Sequence, residues 1–509
     1  MYEMTIRLQE DSGKCLYEQI YEHIKSEIRE GNLLTDEKLP STRSLAAHLE
    51  VSRSTVDLAY AQLQSEGYIE ASPYRGYYVC NVRELFQLER ESSHSKEKYT
   101  REIMPREIMP QETMPRDTMP RDTMPREIMP QKIIPRDTIP QETEPNHNVL
   151  YDFSPNGIDV SGFPLGTWKK ITRNVLNSSD SELFSQGHGQ GEWELRGTIS
   201  RYLHSQRGVN CRPEQIIIGA GNDYLLLLLE KILGSQISIA MENPTYKRAY
   251  HIFRSFSWHI VMADMDENGM KAEELKKADV TAAYIMPSHQ YPMGTVMPIG
   301  RRAELLKWAE GHPDRCLIED DYDSEFRYHG KPIPSLQASD QSGKVVYIGT
   351  FSKAITPAIR VGYMVLPEYL LDKYLAACSF YSSTVSRIDQ RILNEFIRDG
   401  YFERHLNKMR KIYRSKHDLL LEALEPFKKD FIISGENAGL HLLLTGKSDR
   451  EEAELVSKAA EKGVRVYALS DSLVKPGDNK VGNTVILGYG GLNTEQILKG
   501  TELLREAWL

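Results

Sequence analysis

A proline-rich repeat in the middle of the chain constrains the fold more than any other feature. Residues 101–145 read as nine five-residue copies, beginning REIMP, REIMP, QETMP, and proline closes every copy. A proline at every fifth position removes a backbone donor and clashes with the preceding turn, which excludes a helix, and it cannot complete the ladder of a central strand. We therefore predict an extended spacer with partial polyproline II character and a maximum reach on the order of 140 Å, at about 3.1 Å per residue.

The spacer separates a small segment from a much larger one and so sets the domain organisation. The chain has 509 residues, enough for two or three domains. We predict a first domain at residues 1–85, a linker at residues 86–150 and a large domain at residues 151–509. The alternative to a pure spacer is a partner-docking role for the Met and Ile side chains that precede the prolines.

Composition and charge limit the cellular location and the kinds of partner that we expect for this chain. The chain is 40% hydrophobic and 27% charged, which is ordinary for a globular protein, and its formal net charge of −9 argues against general affinity for nucleic acid. The five cysteines are scattered without a CxxC pair, which argues against a zinc site or a disulfide framework. The polar start MYEMTIRLQEDSGK lacks the pattern of a signal peptide, and no apolar run is long enough to span a bilayer. We therefore expect a cytoplasmic protein without a metal or a membrane partner.

The segment before the spacer has the pattern of three helices followed by a hairpin. Apolar residues at a spacing of four predict a first helix, which Gly31 ends: Leu16, Ile20, Ile24 and Ile28. Ser41 and Ser52 are suitable N-caps for two further short helices, the second of which runs to Gly67. The stretch YIEASPYRGYYV then predicts two strands around a turn at residues 73–76. This order is typical of a winged helix-turn-helix.

Basic and hydroxyl side chains gather where such a domain would contact DNA. Arg53 and Thr55 lie in the first turn of the third helix, the end that enters the major groove in helix-turn-helix proteins. Arg43 on the second helix and Arg75 on the wing could reach phosphates or base edges. The alternative is a solvated polar surface, which the charge of residues 1–85 favours, with nine Lys and Arg against fourteen Asp and Glu.

A family resemblance favours DNA binding. The stretch LPSTRSLAAHLEVSRSTVDLAYAQLQSEGYI resembles the winged-helix head of the GntR regulators, whose pattern includes L-P-S-x-R-x-L-A, V-S-R-x-T-V and E-G-Y-I. The resemblance implies contacts with a double-stranded DNA operator from these residues: Arg43, Ser52, Arg53, Thr55, Arg75 and Gly76.

After the spacer, short apolar runs alternate with helical patterns. The runs are IIIGAG (216–221), QISIAME (236–242), TAAYIMP (281–287), RCLIEDDY (315–322) and VVYIGTFSK (345–353). Such runs suit strands buried on both faces of a parallel or mixed sheet, and the alternation predicts a large α/β domain. Three stretches near the end predict a smaller α+β subdomain: GLHLLLTG, GVRVYALS and NTVILGYGGL.

A lysine in a distinctive context indicates cofactor chemistry. In GTFSKAITPAIRVGY, Lys353 follows a predicted strand and a Ser/Thr cluster, and Arg360 comes seven residues later. This arrangement suits an aldehyde that bears a phosphate: Lys353 would form the Schiff base, while Thr350, Ser352 and Arg360 would hold the phosphate. A lone lysine is usually a surface residue, so the prediction of a Schiff base depends on the Ser/Thr cluster before Lys353 and on Arg360 after it.

Two acidic neighbours compete for a second role in binding such a cofactor. In IEDDYDSEFRY, a carboxylate at a strand end could keep a pyridine nitrogen protonated. We expect Asp320 in this role, with Asp321 as the competitor, and Tyr322 as the donor to the phenolic oxygen of the ring. The alternative is a set of exposed acids that cap a helix.

Two further stretches fit the same ligand. In IIIGAGNDYLLLL, the backbone amides of Gly221 and Asn222 could cradle a phosphate at a helix N-terminus. In ENPTYKRAY, Tyr246 could stack on a cofactor ring. Taken alone, the first is a common glycine turn and the second a packed aromatic side chain.

Together the four stretches resemble the fold-type I aminotransferases over most of residues 150–509. The further phrase PSHQYPMGTVMP, combined with the GntR-like head, makes the chain similar to the MocR/GabR regulators. The resemblance implies a multidomain α/β protein: an N-terminal winged helix-turn-helix, then a fold-type I aminotransferase-like domain with a mixed, mostly parallel sheet and a small α+β subdomain. It also implies pyridoxal 5'-phosphate as the cofactor, a small-molecule effector, and a homodimer whose interface carries the cofactor sites.

Two departures from that family bear on the ligand. Ordinary aminotransferases carry Asn directly before Pro-x-Gly, whereas Tyr291 stands there in this chain, so Gln290 and Tyr291 are both possible partners of the ring oxygen. Relatives that recognise an amino acid place a carboxylate-binding Arg in the C-terminal subdomain. In this chain no Arg lies between Arg465 and Arg505.

The missing arginine leaves the class of effector open. Arg248 or Lys475 could hold a carboxylate instead. Otherwise Asp471 could bind an amine, or pyridoxal phosphate could itself be the effector. We expect a transcriptional regulator that senses an amine, an amino acid or a B6-type molecule. The alternatives are a working aminotransferase that carries a DNA-binding head and a regulator whose sensor domain has lost its cofactor.

Overall fold

The computed structural model of the chain describes the head and the large domain. The described residues are 6, 8, 14–72, 75–80, 149–177, 181–328, 333–436, 438–448, 450–475 and 483–509. The five-residue repeat and nearly all of the predicted linker at residues 86–150 therefore lie outside them, and the extended spacer stays a prediction.

The head has the predicted order of three helices and a hairpin. It contains α1 (Leu16–Glu30), α2 (Thr42–His48) and α3 (Arg53–Ser65), followed by the antiparallel strands β1 (Ile69–Ser72) and β2 (Gly76–Val79). The Ser41 hydroxyl accepts a hydrogen bond from the Ser44 amide, and the Ser52 hydroxyl accepts one from the Thr55 amide, so each serine satisfies an otherwise free amide of its helix. Gly31 ends α1 at φ +82°. The predicted stripe is buried except for Leu16, which lies at the exposed start of the helix.

The large domain begins at a short strand and ends at a long helix. Its strands, in chain order, are β3 (Tyr151–Asp152), β4 (Ile216–Gly219), β5 (Ser238–Glu242), β6 (His259–Ala263), β7 (Met265–Asp266), β8 (Gly269–Met270), β9 (Ala282–Ile285), β10 (Cys316–Asp321), β11 (Val345–Thr350), β12 (Gly362–Val365), β13 (Phe431–Ser434), β14 (His441–Gly446), β15 (Val464–Arg465), β16 (Tyr467–Ala468) and β17 (Thr484–Gly488). Its helices are α4 (Leu165–Leu176), α5 (Trp193–Arg207), α6 (Asn222–Leu233), α7 (Lys247–Ser255), α8 (Ala272–Lys277), α9 (Ile299–Glu310), α10 (Glu368–Cys378), α11 (Arg387–Arg398), α12 (Tyr401–Ala423), α13 (Glu452–Glu461) and α14 (Thr494–Trp508).

A seven-stranded mixed sheet forms the centre of the large domain, with strand order β4-β12-β11-β10-β9-β5-β6. Strand β12 runs antiparallel to both of its neighbours, and the other four pairings are parallel. Consecutive residues of β4 face opposite sides: Ile217 packs with residues of α6 and α10, whereas Ile216 and Ile218 pack with residues of α5 and α11. Helices therefore cover both faces, which explains why these strands read as continuous apolar runs.

A smaller α+β unit completes the chain. Its four-stranded antiparallel sheet has the order β13-β14-β17-β16, and residues of α12, α13 and α14 pack against it in one core. Strand β3 pairs in parallel with β15, so the first residues of the large domain are attached to its last part. The stretch GVRVYALS, written as one unit above, divides between two strands that belong to different sheets.

The head lies against the start of α9. The backbone amide of Ile299 donates to the carbonyl oxygen of Glu66 at 3.0 Å, and the Arg327 guanidinium donates to the Ser65 hydroxyl. The Ile299 side chain packs against the apolar core of the head. Within the described ranges, no helix is both long enough and apolar enough to cross a membrane.

Candidate cofactor site

The cavity that contains the predicted cofactor residues lies where β4, β5, β9, β10 and β11 end. It has a volume of about 310 Å³. Of the residues predicted from sequence, these line it: Asn222, Tyr246, Arg248, Tyr291, Asp320, Tyr322, Thr350, Ser352, Lys353 and Arg360. Asn156, Asp223, Met286 and Pro357, which were not predicted, also line it. Ligands in open α/β sheets bind outside the carboxyl ends of the strands, so the topology itself favours this location.

The two acidic neighbours Asp320 and Asp321 lie on opposite faces of β10. Asp320 Oδ2 accepts hydrogen bonds from Asn222 Nδ2 at 2.9 Å and from the Tyr284 hydroxyl, and burial raises the pKa of Asp320 to about 6. Asp321 Oδ2 instead accepts from Arg207 Nε at 2.8 Å and from the Tyr347 hydroxyl at 2.5 Å. Of the two, only Asp320 lines the cavity. The buried carboxylate of Asp320 is placed to hold a proton on a heterocyclic nitrogen.

Lys353 projects into the cavity from the loop after β11. Its Nζ donates to the carbonyl oxygen of Pro155 at 3.0 Å. Burial lowers the pKa of Lys353 to about 8, and the charge of Asp323 opposes that shift. A lysine amine with a lowered pKa is a better nucleophile near neutral pH, as imine-forming lysines must be.

The end of the cavity nearest α6 carries the groups predicted to hold a phosphate. The Thr350 hydroxyl accepts from the Ser352 amide at 3.1 Å and lies 2.9 Å from the Ser352 hydroxyl. Arg360 adopts φ +50°, and its Nη2 donates to the Ala220 carbonyl oxygen at 3.3 Å. The Gly221 amide was expected to join this cradle, but it donates to the Gly219 carbonyl oxygen at 2.7 Å. Gly221 shapes the site through its missing side chain, because a Cβ there would lie 2.6 Å from the Arg360 guanidinium.

Three tyrosine rings form one wall of the cavity. Tyr246 precedes α7, and its ring meets that of Tyr291 edge to face at 6.0 Å, while Tyr291 meets Tyr322 at 6.2 Å. Gln290 is buried away from them: its Nε2 donates to the Pro244 carbonyl oxygen at 2.9 Å and its Oε1 accepts from the Met293 amide at 3.0 Å. Between Gln290 and Tyr291, it is therefore the tyrosine that is available to a bound ring.

A buried histidine stands behind Tyr322, and sequence reasoning did not find it. His289 Nδ1 lies 3.0 Å from an oxygen of Asp323 and 2.9 Å from the Tyr322 hydroxyl. A carboxylate accepts only, so the proton sits on Nδ1 and the Tyr322 oxygen also accepts. The Tyr322 hydroxyl then has its own proton free to donate into the cavity. His289 fits because residue 439 is glycine; a Cβ there would lie 2.0 Å from its ring.

Of the three side chains considered for effector binding, only Arg248 lines the cavity. Arg248 is ion-paired with Asp223 at 3.3 Å and is largely exposed. Asp471 does not line the cavity, but it contributes to a raised pKa of about 12 for Tyr291, of which burial is the main cause. Lys475 is exposed, and its carbonyl oxygen accepts from Asn243 Nδ2 at 3.3 Å. No group of three or more His, Cys, Asp or Glu side chains in the described part of the chain could hold a metal ion.

The head exposes the three arginines that are predicted to contact DNA. Arg43, Arg53 and Arg75 are exposed, and Arg53 forms an ion pair with Asp57 at 3.6 Å. Ser52 has its hydroxyl oxygen within 2.8 Å of the Thr55 hydroxyl while it caps α3. Gly76 begins β2 at φ +108°, next to the turn of the wing.

Comparison with known proteins agrees with this division into two parts. Residues 16–79 match the family model "Bacterial regulatory proteins, gntR family", and residues 159–481 match "Aminotransferase class I and II". The chain is 39% identical to the uncharacterized HTH-type transcriptional regulator YdeL of Bacillus subtilis, over 97% of this chain and 96% of that one. It is 30% identical to the probable rhizopine catabolism regulatory protein MocR of Rhizobium meliloti, over 99% of this chain and 95% of that one. Among solved structures, the multiple substrate aminotransferase of Thermococcus profundus matches with a TM-score of 0.64 and 26% identity, over 71% of this chain and 92% of that one.

The fold and the matches define a class: a DNA-binding transcriptional regulator with a GntR-type head and a fold-type I aminotransferase-like domain. The chain belongs to the aminotransferase class I and II family through its large domain, and as a whole to the MocR subfamily of GntR regulators. The predicted fold class and family are thereby confirmed.

Proposed function

We propose that this regulator binds pyridoxal 5'-phosphate at Lys353 and changes its action on DNA when a small effector reaches the same cavity. The observation that carries the proposal is the meeting of a lysine, a buried carboxylate and a hydroxyl–guanidinium cluster in one cavity of about 310 Å³. The lysine and the cluster come from residues 350–360, at the end of β11 and in the loop after it, and the carboxylate lies at the end of β10. Two separate stretches of the chain therefore converge, which is more specific than any single motif.

The residues present fit the cofactor. Asp320 would hold the proton of the pyridine nitrogen, Tyr322 would donate to the phenolic oxygen, and Tyr246 would lie against the ring. Thr350, Ser352 and Arg360 would hold the phosphate, together with the first amides of α6, where Asn222 begins the helix. When bound, the cofactor supplies an aldehyde that forms a covalent bond with an amine and a ring that withdraws electrons.

The class of effector follows from the charges around the cavity. A carboxylate clamp built on Arg248 would have to compete with Asp223, to which that arginine is already paired. In the small subdomain, Leu443, Leu469 and Ile486 form an apolar cluster that offers a carboxylate no partner. We therefore favour an amine, read in part by Asp471, or pyridoxal phosphate itself over an α-amino acid.

A homodimer is part of the proposal, and an exposed apolar surface on the large domain supports it. Trp193 and Leu375 line a depression of about 520 Å³, and Phe184 and Phe380 are more than two-thirds exposed in the same part of the domain. Such a patch is unusual on a monomer and suits a second copy of the chain. Two heads on one dimer predict paired half-sites in a DNA operator. We place the protein in the cytoplasm, where DNA and free thiols are both expected.

A working aminotransferase is the second candidate function. It is favoured by the lowered pKa of Lys353, since a free amine near neutral pH would serve turnover as well as sensing. The pairing of Arg248 with Asp223 argues against efficient transfer from amino acids, because the substrate carboxylate would lack a free partner.

One experiment separates these functions. The purified full-length chain is mixed with pyridoxal phosphate, its visible absorbance is recorded, and a panel of amines and amino acids is titrated with and without a keto acid. The sensor predicts a Lys353-dependent band that one ligand class shifts without keto-acid turnover. Turnover at a rate typical of aminotransferases would favour the enzyme, and a Lys353→Ala variant with the same band would contradict both.

A further inference from the structure

The loop between β9 and α9 touches both the cofactor cavity and the DNA-binding head. Met286 and Tyr291, near its start, line the cavity, and His289 lies beside Tyr322. Pro298 and Ile299, at its end, contact the head. A stretch of thirteen residues, 286–298, therefore spans from one functional surface to the other.

This loop is closed on itself by hydrogen bonds. The Met297 amide donates to the Pro287 carbonyl oxygen at 2.9 Å, which joins the two ends. Buried Arg302 of α9 donates to the same two residues, through Nε to Met297 at 2.9 Å and through Nη2 to Pro287 at 3.0 Å. Inside the loop, Gln290 exchanges backbone bonds with Thr295 and Gly294 at 2.8 and 2.7 Å. These hydrogen bonds fix the loop at several points, so we expect a shift at Tyr291 to be transmitted to Ile299.

The surface of the head that meets this loop is built around one buried carboxylate. The Glu66 side chain accepts from the Tyr21 hydroxyl at 2.8 Å and from Lys25 Nζ at 2.9 Å, while its carbonyl oxygen accepts from the Ile299 amide. Gly67 then packs directly on Pro298, because a Cβ at Gly67 would lie 2.7 Å from Pro298 Cβ. The contact is thus close-packed and hydrogen-bonded, and it links α1 and α3 of the head to the loop.

We propose that the closed loop 286–298 carries the state of the cofactor cavity to the DNA-binding head, through the contact of Pro298 and Ile299 with Glu66 and Gly67. The inference rests on the proposed binding of pyridoxal phosphate. Only a ligand that interacts differently with two arrangements of the loop can shift the head. Tyr291 supplies that difference, since it faces the ligand and belongs to the closed loop.

Hydrogen–deuterium exchange of the full-length protein tests this coupling on peptides that span residues 294–304. The Ile299 amide is protected through Glu66, and pyridoxal phosphate should slow its exchange further by holding Tyr291. In the Gly67→Ala variant the added methyl group overlaps Pro298, and overpacking of this kind weakens a contact enough to speed exchange at residues 294–304 roughly 5- to 150-fold. Exchange in this variant should no longer respond to the cofactor. Its visible band with pyridoxal phosphate should persist.

Gly31→Ala is the matched control. Gly31 also ends a head helix at positive φ, +82° against +77° for Gly67, but no heavy atom of the described residues lies within 4 Å of a Cβ built there. This variant should share the backbone strain and keep the wild-type exchange at residues 294–304. If Gly67→Ala does not fold, Ile299→Asp replaces it: an acid at the first position of α9 favours that helix but places a charge against the apolar core of the head.

The outcomes separate the inference from the proposed function. A wild-type protein that forms the visible band, yet shows the same exchange at residues 294–304 with and without cofactor, would overturn the inference alone. Wild-type exchange in Gly67→Ala would also overturn it, since the head would then not depend on this contact. A protein that forms no band would instead remove the cofactor on which both rest.

Discussion

Replacing Gly221 with alanine tests the phosphate end of the cofactor site. Gly221 adopts φ +83° directly before α6, and a Cβ there would lie 2.6 Å from Arg360 Nη2 and 2.8 Å from Cζ. The overlap falls on the flexible end of a long side chain. We therefore expect Arg360 to be displaced while the domain stays folded.

The size of the effect follows from what Arg360 would contribute. A hydrogen bond between charged groups is worth about 1.5–3 kcal/mol, so losing it should raise the Kd for pyridoxal phosphate roughly 10- to 150-fold. Gly221 combines its positive φ with ψ 179°, a backbone conformation that should cost an alanine variant about 1–3 kcal/mol of stability, independently of the ligand. The Kd is measured by titrating the absorbance or fluorescence change of the protein with cofactor.

Gly234→Ala is the control for backbone strain. Gly234 ends the same helix at φ +96°, and none of the described residues places a heavy atom within 4 Å of a Cβ there. It should lose similar stability and bind the cofactor normally. A Kd for Gly221→Ala within twofold of that for Gly234→Ala would refute the placement of Arg360 at the phosphate.

Three further predictions concern protons in the site. With a pKa of about 8, Lys353 is about 9% neutral at pH 7, against roughly 0.03% for an ordinary lysine, so cofactor capture should accelerate about tenfold per pH unit and level off above pH 8. A stopped-flow rate that keeps rising to pH 10 would contradict this. His289→Leu should raise the pH midpoint of the visible band by up to about 0.7 units, which corresponds to one hydrogen bond of about 1 kcal/mol, because the Tyr322 donor loses its cooperative partner. His289→Asn keeps an N–H and should not raise it. The same shift for His289→Leu on a Tyr322→Phe background would show that His289 does not act through Tyr322. Burial raises the pKa of Asp320 to about 6, so the folded apoprotein holds this proton more tightly than the unfolded chain does. Its free energy of unfolding should therefore fall by on the order of 3 kcal/mol as pH rises from about 4 to 6, and Asp320→Asn should remove this contribution to the pH dependence of Tm. Equal pH dependence of Tm in both proteins would count against it.

Local features of the fold were predictable because they depend on interactions between residues that are close in the sequence. Ser41 and Ser52 cap the helices expected of them, because a hydroxyl before a helix satisfies a free amide at short range. The central strands were predictable for a similar reason, since burial on both faces leaves a run of β-branched residues. Lys353 and Arg360 were found because both sit on one loop at a fixed spacing.

Contacts between distant segments were not predictable from one sequence. The choice between Asp320 and Asp321 depends on which face of β10 meets Asn222 and Tyr284, and that is set by strand order. The partners His289 and Asp323 are 34 residues apart, and neither stretch of sequence indicates that the two side chains meet. The engagement of the Gly221 amide in a tight turn likewise depends on backbone geometry that a glycine permits but does not specify.

The most direct test of the account is the visible spectrum of the purified full-length protein with one equivalent of pyridoxal phosphate, recorded beside a Lys353→Ala variant. Matched thermal melts of the two proteins would establish that both are folded. The account predicts an absorbance band in the wild type that survives gel filtration and is absent from the variant. A folded wild type that releases all of its cofactor on gel filtration, or a variant that retains the same band, would contradict the claim that Lys353 anchors pyridoxal phosphate.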